Sequence, residues 1–117
     1  MYKVIMPMHR KPGMSRAEFR EYYETRHRLI GEKYLAGFAV KYMRRYPMAL
    51  PGDDQEPDFD VILEVWYPDQ ETYQRFIDYI QDPAIAAEIS ADEANLFETE
   101  GRRGYQLEEA VSDNIGG

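Results

Sequence analysis

From Tyr2 to His9 the chain alternates between two largely apolar faces: Val4, Met6 and Met8 on one, Ile5 and Pro7 with Lys3 on the other. A strand that is apolar on both sides reads as central in its sheet. Pro7 has no N–H to give, so pairing weakens near its end. Arg10-Lys-Pro-Gly13 is a turn signal. Ser15-Arg-Ala-Glu18 then matches a capping box, with Met14 and Phe19 at the hydrophobic-staple positions. At 100° per residue, Phe19, Tyr22, Tyr23, Arg26, Ile30 and Tyr34 fall on one face, and His27 lies on its flank. Gly37 is expected just past the helix end, with Gly31 as an earlier point where the helix ends or bends.

Phe38 to Met48 reads as a second strand, in which Val40, Tyr42, Tyr46 and Met48 alternate with Lys41 and Arg45. The polar, turn-rich stretch 51–57 follows it. Asp58 to Tyr67 has the clearest strand pattern. Phe59, Val61, Leu63, Val65 and Tyr67 form an apolar face, and Asp58, Asp60, Ile62, Glu64 and Trp66 form a mixed one. Asp69 is a good N-cap for a helix to about Gln81 that buries Tyr73, Phe76, Ile77 and Ile80. Asp82-Pro83 is a second cap with Pro at N1. Ser90-Ala-Asp-Glu93 matches a second capping box, so residues 83–100 read as two short helical pieces, the second carrying Leu96 and Phe97. Tyr105, Leu107 and Val111 supply a short last strand. Residues 1–112 are expected to form one domain and 113–117 a flexible tail.

The order strand, helix, strand, strand, helix, strand predicts an α+β fold, a ferredoxin-like βαββαβ antiparallel sheet with its helices on one face. The other face keeps Ile62 and Trp66, with Tyr42 or Met6 expected beside them. Such a surface is rarely left in water. A second copy laid face to face covers it, which predicts a homodimer with an enclosed space between the two sheets.

Composition changes this picture little. The 117 residues are 44% hydrophobic and 31% charged, ordinary for a globular chain. Ten of the sixteen aromatics are Tyr, which suits either core packing or the wall of an amphipathic pocket. With no cysteine there is no disulfide and no thiolate metal site. No apolar run approaches the roughly 18–20 residues of a membrane span, and no basic-then-apolar N-terminus suggests a signal peptide. A cytoplasmic protein without membrane contact is expected. The net charge of −8 is unevenly spread. Residues 1–46 carry 11 Lys/Arg against 4 Asp/Glu, and the acidic excess lies in the remainder. The two parts are expected to lie together and offset each other. An acidic chain without a Lys/Arg run interleaved with stacking aromatics does not suit nucleic acid.

Several stretches resemble the EthD family of small dimeric α+β-barrel proteins. They are Arg10-Lys-Pro-Gly-Met-Ser-Arg-Ala-Glu-Phe19, Tyr22-Tyr23 followed by His27, Phe59-Asp60, Glu64-Val-Trp66-Tyr67-Pro-Asp69, and Ala91-Asp92-Glu93 leading into Phe97. The resemblance covers roughly residues 1–110. It implies a role beside pathways that make or break down small organic molecules. Relatives with the same barrel include cofactor-free oxygenases, cyclases, dehydratases, isomerases and haem-degrading enzymes, and fold alone does not choose among them. The family's recurrent histidine falls on His27, and its strand acids and tryptophan on Asp60, Glu64 and Trp66. Tyr23 stands where many relatives carry an indole.

The candidate chemistry is sparse. A neutral imidazole near pH 7 can take or give a proton, which suits enolisation, cyclisation or dehydration. His27 is therefore the candidate acid–base group, with Tyr23 or Asp60 orienting it or the substrate. The alternative is a helix histidine satisfied by a neighbour. His9 reads as a second acid–base group or as an exposed strand end. Asp60 and Glu64 lie roughly 13 Å apart on one strand face, too far to share a proton, and either also suits a cross-strand ion pair. Trp66, Tyr42, Glu64 and His9 are the candidate ligand contacts for a small hydrophobic or aromatic molecule. Two histidines without paired spacing give no metal site, and no nucleotide motif is present, so no cofactor is expected. The function expected is acid–base chemistry without a cofactor (cyclisation, dehydration, isomerisation or oxygenation) on an aromatic or apolar carbonyl compound. The alternatives are a non-catalytic ligand-binding or accessory protein and a haem-binding barrel.

Overall fold

A computed structural model describes residues 1–116; Gly117, the last residue of the expected tail, lies outside the described residues. Strand β1 spans Tyr2–Arg10 and β3 spans Val61–Tyr67. They pair antiparallel from Tyr2↔Tyr67 to Met8↔Val61. Strand β2, Lys41–Arg45, adds to the far edge of β3. On the other side of β1 lie two short pieces, β4 at Phe97–Glu98 and β5 at Tyr105–Gln106. The sheet order β2-β3-β1-β4 is the ferredoxin-like one, and every pairing is antiparallel. The two central strands are those whose sequences are most apolar, as burial on the helix side requires.

The first helix begins as its sequence dictates. The Ser15 hydroxyl accepts from the Glu18 N–H at 3.1 Å, and the Glu18 carboxylate accepts from the Ser15 N–H at 2.9 Å. It runs as α1, Arg16–Tyr22, then a wide π turn, Tyr23–His27, then α2, Arg28–Leu35. In the π turn the Arg28 N–H donates to the Tyr23 carbonyl, five residues back. The extra residue rotates everything beyond it by about one position. Arg26, expected on the inward face, is consequently exposed, and His27, expected on the flank, is buried. Gly31 does not end the helix, which continues to Leu35. Gly37 follows its end with φ +87°, a conformation that favours glycine.

The second half departs more from expectation. Strand β2 stops at Arg45, leaving Met48 exposed, and β3 starts at Val61. Helix α3, Gln70–Tyr79, has the Asp69 carboxylate accepting from the Thr72 N–H at 2.7 Å. The two expected pieces at 83–100 are one helix, α4, Pro83–Glu93, which passes through Ser90 without a break. Ser90 lies inside this helix and so caps nothing, and the Glu93 side chain accepts from Arg102. Leu96 lies in the following turn and Phe97 in β4, so neither is helical. Leu107 holds one bond, its N–H to the Lys3 carbonyl at 2.9 Å, and Val111 is 85% exposed and outside any strand.

The core lies between the helices and one sheet face. One part gathers Met8, Phe19, Tyr23, Val61, Leu96 and Phe97, and a second gathers Leu35, Val65 and Tyr67. Burying Phe19 alone is worth about 2–3 kcal/mol at 1% exposure. Tyr42 and Met6 pack against this core, not on the open face where they were expected. The basic N-terminal part does lie against the acidic remainder. Lys3 pairs with Glu109, Arg10 and Arg16 with Asp60, Lys33 with Glu88, and Arg45 with Glu64. Among the described residues no helix is long and apolar enough to cross a membrane.

Candidate functional site

A cavity of about 290 Å³ lies between the covered sheet face and the helices, inside one chain. The enclosed space expected between two sheets is therefore not where this cavity forms. Val4, Met6 and Met8 of β1 and Leu63, Val65 and Tyr67 of β3 supply its sheet wall. Tyr23, His27 and Ile30 line it from the first helix, and Phe76, Ile77 and Ile80 from α3. Ile89 and Glu93 of α4, with Phe97 and Arg102, close another side. The walls are mainly apolar, and the few polar groups stand out against them.

His27 is 8% exposed and brought inward by the π turn. Its Nδ1 lies 2.8 Å from Asp92 Oδ2 on α4. The other carboxylate oxygen accepts from the Tyr22 hydroxyl at 2.6 Å, and Asn95 Nδ2 donates to that hydroxyl oxygen at 3.1 Å. An ionised carboxylate only accepts, so in the neutral imidazole Nδ1 carries the ring proton and Nε2 has the free lone pair. No partner for Nε2 is found among the described residues. The ring is gripped edge-on by Tyr23 and Phe97, with centroids at 5.2 and 5.3 Å. Burial, and then the bond to Asp92, push the Tyr22 hydroxyl pKa up, so it remains a donor at neutral pH.

Tyr23 is 1% exposed, and its hydroxyl lies 3.1 Å from that of Tyr42. Burial, and then the neighbouring Tyr42 hydroxyl, push the Tyr23 pKa well up. Tyr23 therefore meets His27 through its ring, while its hydroxyl serves Tyr42. The close approach of helix to strand needs Gly31, because a Cβ there would lie 2.6 Å from the Tyr42 hydroxyl oxygen. Behind this pair, Glu24 takes two bonds from Arg44, at 2.9 and 3.0 Å, and one from Tyr46.

Of the residues singled out from sequence, His27, Tyr23 and Tyr42 come together at this cavity. Asp60 does not reach His27. It accepts from the Arg10 backbone N–H at 2.7 Å and from its guanidinium at 2.6 Å, with Arg16 at 3.2 Å. This cluster tethers the end of β1, so Asp92, not Asp60, is the carboxylate that orients the histidine. Trp66 lies on the open sheet face, where Lys3 and Lys41 sit 3.8 and 4.4 Å from its ring centre. Its Nε1 donates to Glu64 at 2.6 Å, and Glu64 also accepts from Arg45. His9 is exposed at the sheet end, beside Phe59 at 5.4 Å and opposite Glu98. Trp66, Glu64 and His9 are thus apart from the cavity. Asp92, Glu93, Phe97 and Arg102 were not singled out for the site, because the capping-box match at Ser90–Glu93 accounted for the acids as a helix start. No group of three or more His, Asp or Glu side chains is gathered for a metal ion among the described residues.

The sequence matches the EthD domain over residues 11–100, which takes in the capped first helix, His27, Asp92 and Phe97. No curated protein matches it significantly. Two similar solved structures are an EthD-like protein from Ralstonia eutropha and an ethyl tert-butyl ether D (EthD) family protein from Bacillus halodurans. The first has a TM-score of 0.69 and 19% identity, covering 97% of this chain and 95% of the other. The second has 0.64 and 19%, covering 94% and 100%. A hypothetical protein from Arabidopsis thaliana is similar at 0.59 and 14%, covering 96% and 90%. At these identities the likeness is one of fold, and it agrees with the sheet order found above. With the domain match spanning most of its length, the chain belongs to the EthD family.

Proposed function

We propose that this chain is an enzyme that performs acid–base chemistry without a cofactor on an apolar or aromatic carbonyl compound. The observation that carries the reading is the Asp92-held imidazole of His27 at the wall of an apolar cavity. Nε2 takes a proton from the carbon beside the carbonyl, and the C–H electron pair moves into an enolate. Return of the proton elsewhere is isomerisation. Attack by the enolate carbon on a second carbonyl is cyclisation, loss of a neighbouring hydroxyl is dehydration, and reaction with dioxygen is oxygenation. Asp92 stabilises the imidazolium formed in the first step, and Tyr23 fixes the ring plane. Asp60, Trp66, Glu64 and His9 make no contact with the ligand.

We further propose that the chain acts as a homodimer in the cytoplasm, joined through the open sheet face. Ile5, Pro7, Ile62 and Trp66 stand there without a helix above them, a composition that favours a covering partner.

Phenylacetone in D2O tests the chemistry. Proton NMR should show loss of its α-hydrogen signals faster with the protein than in buffer, and at the buffer rate with His27→Ala. Wild-type protein that binds phenylacetone without exchange would instead be a ligand carrier.

A further inference from the structure

We propose that Arg102 receives the carbonyl oxygen of the substrate, so that the negative charge displaced when His27 takes a proton collects at its guanidinium. The inference rests on the acid–base reading above and adds the group that binds the reacting oxygen. It narrows the substrate to a carbonyl compound whose oxygen lies at the same end as its acidic C–H.

The backbone explains why an arginine is there. Strands β4 and β5 pair with the same edge of β1, but the segment 99–104 interrupts them. Gly101 has φ +76°, which other residues rarely adopt, so the chain turns sharply just before Arg102. At Gly104 an added Cβ would stand 3.0 Å from the Met6 methyl, so the loop is pressed against β1. Of the two adjacent arginines, Arg103 lies over Tyr105 at 5.2 Å, while Arg102 lines the cavity.

Arg102 is held but not used up. Its side chain is 23% exposed, and Nη1 donates to Glu93 Oε2 at 2.6 Å. A guanidinium has five N–H donors, and no other bond from it is found among the described residues. Glu93 fixes its position and offsets its charge while the pocket is free, so a neutral substrate can enter. His27 and Arg102 both border the ring of Phe97, at 5.3 and 5.9 Å. Both also line the same cavity, so a carbonyl compound held in it can turn its acidic carbon toward Nε2 and its oxygen toward the guanidinium. A donor aimed at the developing oxyanion is where an enzyme of this kind gains most.

The probe is 4-nitrophenol, whose phenolate is a flat mimic of an enolate with its own visible band. Bound to wild-type protein, it should ionise at lower pH than when free. Arg102→Met, and Glu93→Gln/Arg102→Met, which leaves no unpaired carboxylate, should each bind the phenolate roughly tenfold more weakly. Both should keep wild-type affinity for neutral nitrobenzene, and circular dichroism should report the native fold. His27→Ala should retain the phenolate preference. The assignment is overturned if wild-type protein does not bind 4-nitrophenol or binds it only as the phenol. It is equally overturned if the Arg102 variants hold the phenolate as tightly as wild type, or if the preference disappears with His27→Ala and survives without Arg102. Failure of deuterium exchange with an intact, Arg102-dependent phenolate preference would sink the His27 reading alone, so the two ideas fail separately.

Discussion

His27 Nδ1 and Asp92 Oδ2 lie 2.8 Å apart, although they are 65 residues apart in sequence and sit on helices at opposite ends of the chain. The pairing fixes both the tautomer and the tilt of the imidazole. Long-range nitrogen–proton NMR of the ring should therefore show a single form protonated at Nδ1. In Asp92→Ala the ring loses its acceptor and the spectrum should become a mixture of tautomers. Phenylacetone exchange should fall about tenfold to a hundredfold in Asp92→Asn, since a misheld base loses much of its advantage. Tyr22→Phe, which removes a donor to the far carboxylate oxygen and an acceptor for Asn95 but leaves the His27–Asp92 bond, should cost much less.

The π turn shows where the sequence was readable and where it was not. Capping at Ser15, the apolar strand faces and the glycine after Leu35 follow from local rules, and they led to the sheet order. The rotation between Tyr23 and His27 does not, because a 3.6-residue period carried across the whole helix keeps Arg26 inside. The pairing of His27 with Asp92 depends on that rotation and on where α4 comes to rest, neither of which a local pattern encodes. Trp66 and Tyr42, both aromatic strand residues, read from the sequence as contacts to one ligand. Strand pairing sets Lys41, not Tyr42, opposite Trp66, and so sends the two rings to opposite faces.

Deleting Thr25 tests this account of the helix. One residue fewer should turn the wide turn into regular α-helix while Tyr34 and Leu35 still face the sheet. The variant should fold, with a cooperative thermal transition. The single Nδ1-protonated form of His27 should persist, because removing the extra residue leaves His27 in the same phase relative to Tyr34 and Leu35. An unfolded deletion variant would mean that the wide turn is needed for packing itself.

Gly31→Ala sets helix propensity against packing. Alanine in a helix interior gains about 1 kcal/mol over glycine. Here its Cβ would come within 2.6–2.9 Å of the Tyr42 hydroxyl and ring, which are themselves held by Tyr23. Overpacking of that kind costs about 1–3 kcal/mol. Urea denaturation should show a net loss for Gly31→Ala. The same substitution in a Tyr42→Ala background should be neutral or stabilising, since the obstacle is gone.

Glu24 should shape the acid limb of stability. The bonds from Arg44 hold its pKa down, from an ordinary 4.5 to about 2, with help from the Tyr46 hydroxyl and against partial burial. A carboxyl whose pKa is lowered on folding stabilises the fold above its unfolded value. That contribution is lost as the pH falls from about 4.5 through about 2. The group is partly exposed, so solvent screening limits the effect to about 1 kcal/mol. Urea midpoints of Glu24→Gln should be lower than wild type at pH 6, and the gap should narrow progressively toward pH 2.

The open sheet face carries the last expectation. Ile5, Pro7, Ile62 and Trp66 share it with a few charges, of which Glu64 and Arg45 already pair with each other. Lys3 and Lys41 lie against the Trp66 ring instead of extending freely into water. Charge on this face is therefore partly neutralised, and a second copy can cover it without stranding a bare ion. Light scattering at micromolar concentration should report twice the 13.8 kDa chain mass. Trp66→Asp adds an acid at the centre of the patch and removes its largest ring, so it should give a monomer. Because Trp66 is outside the cavity, that monomer should still bind 4-nitrophenol. A wild-type particle near the chain mass would show that the face stays uncovered.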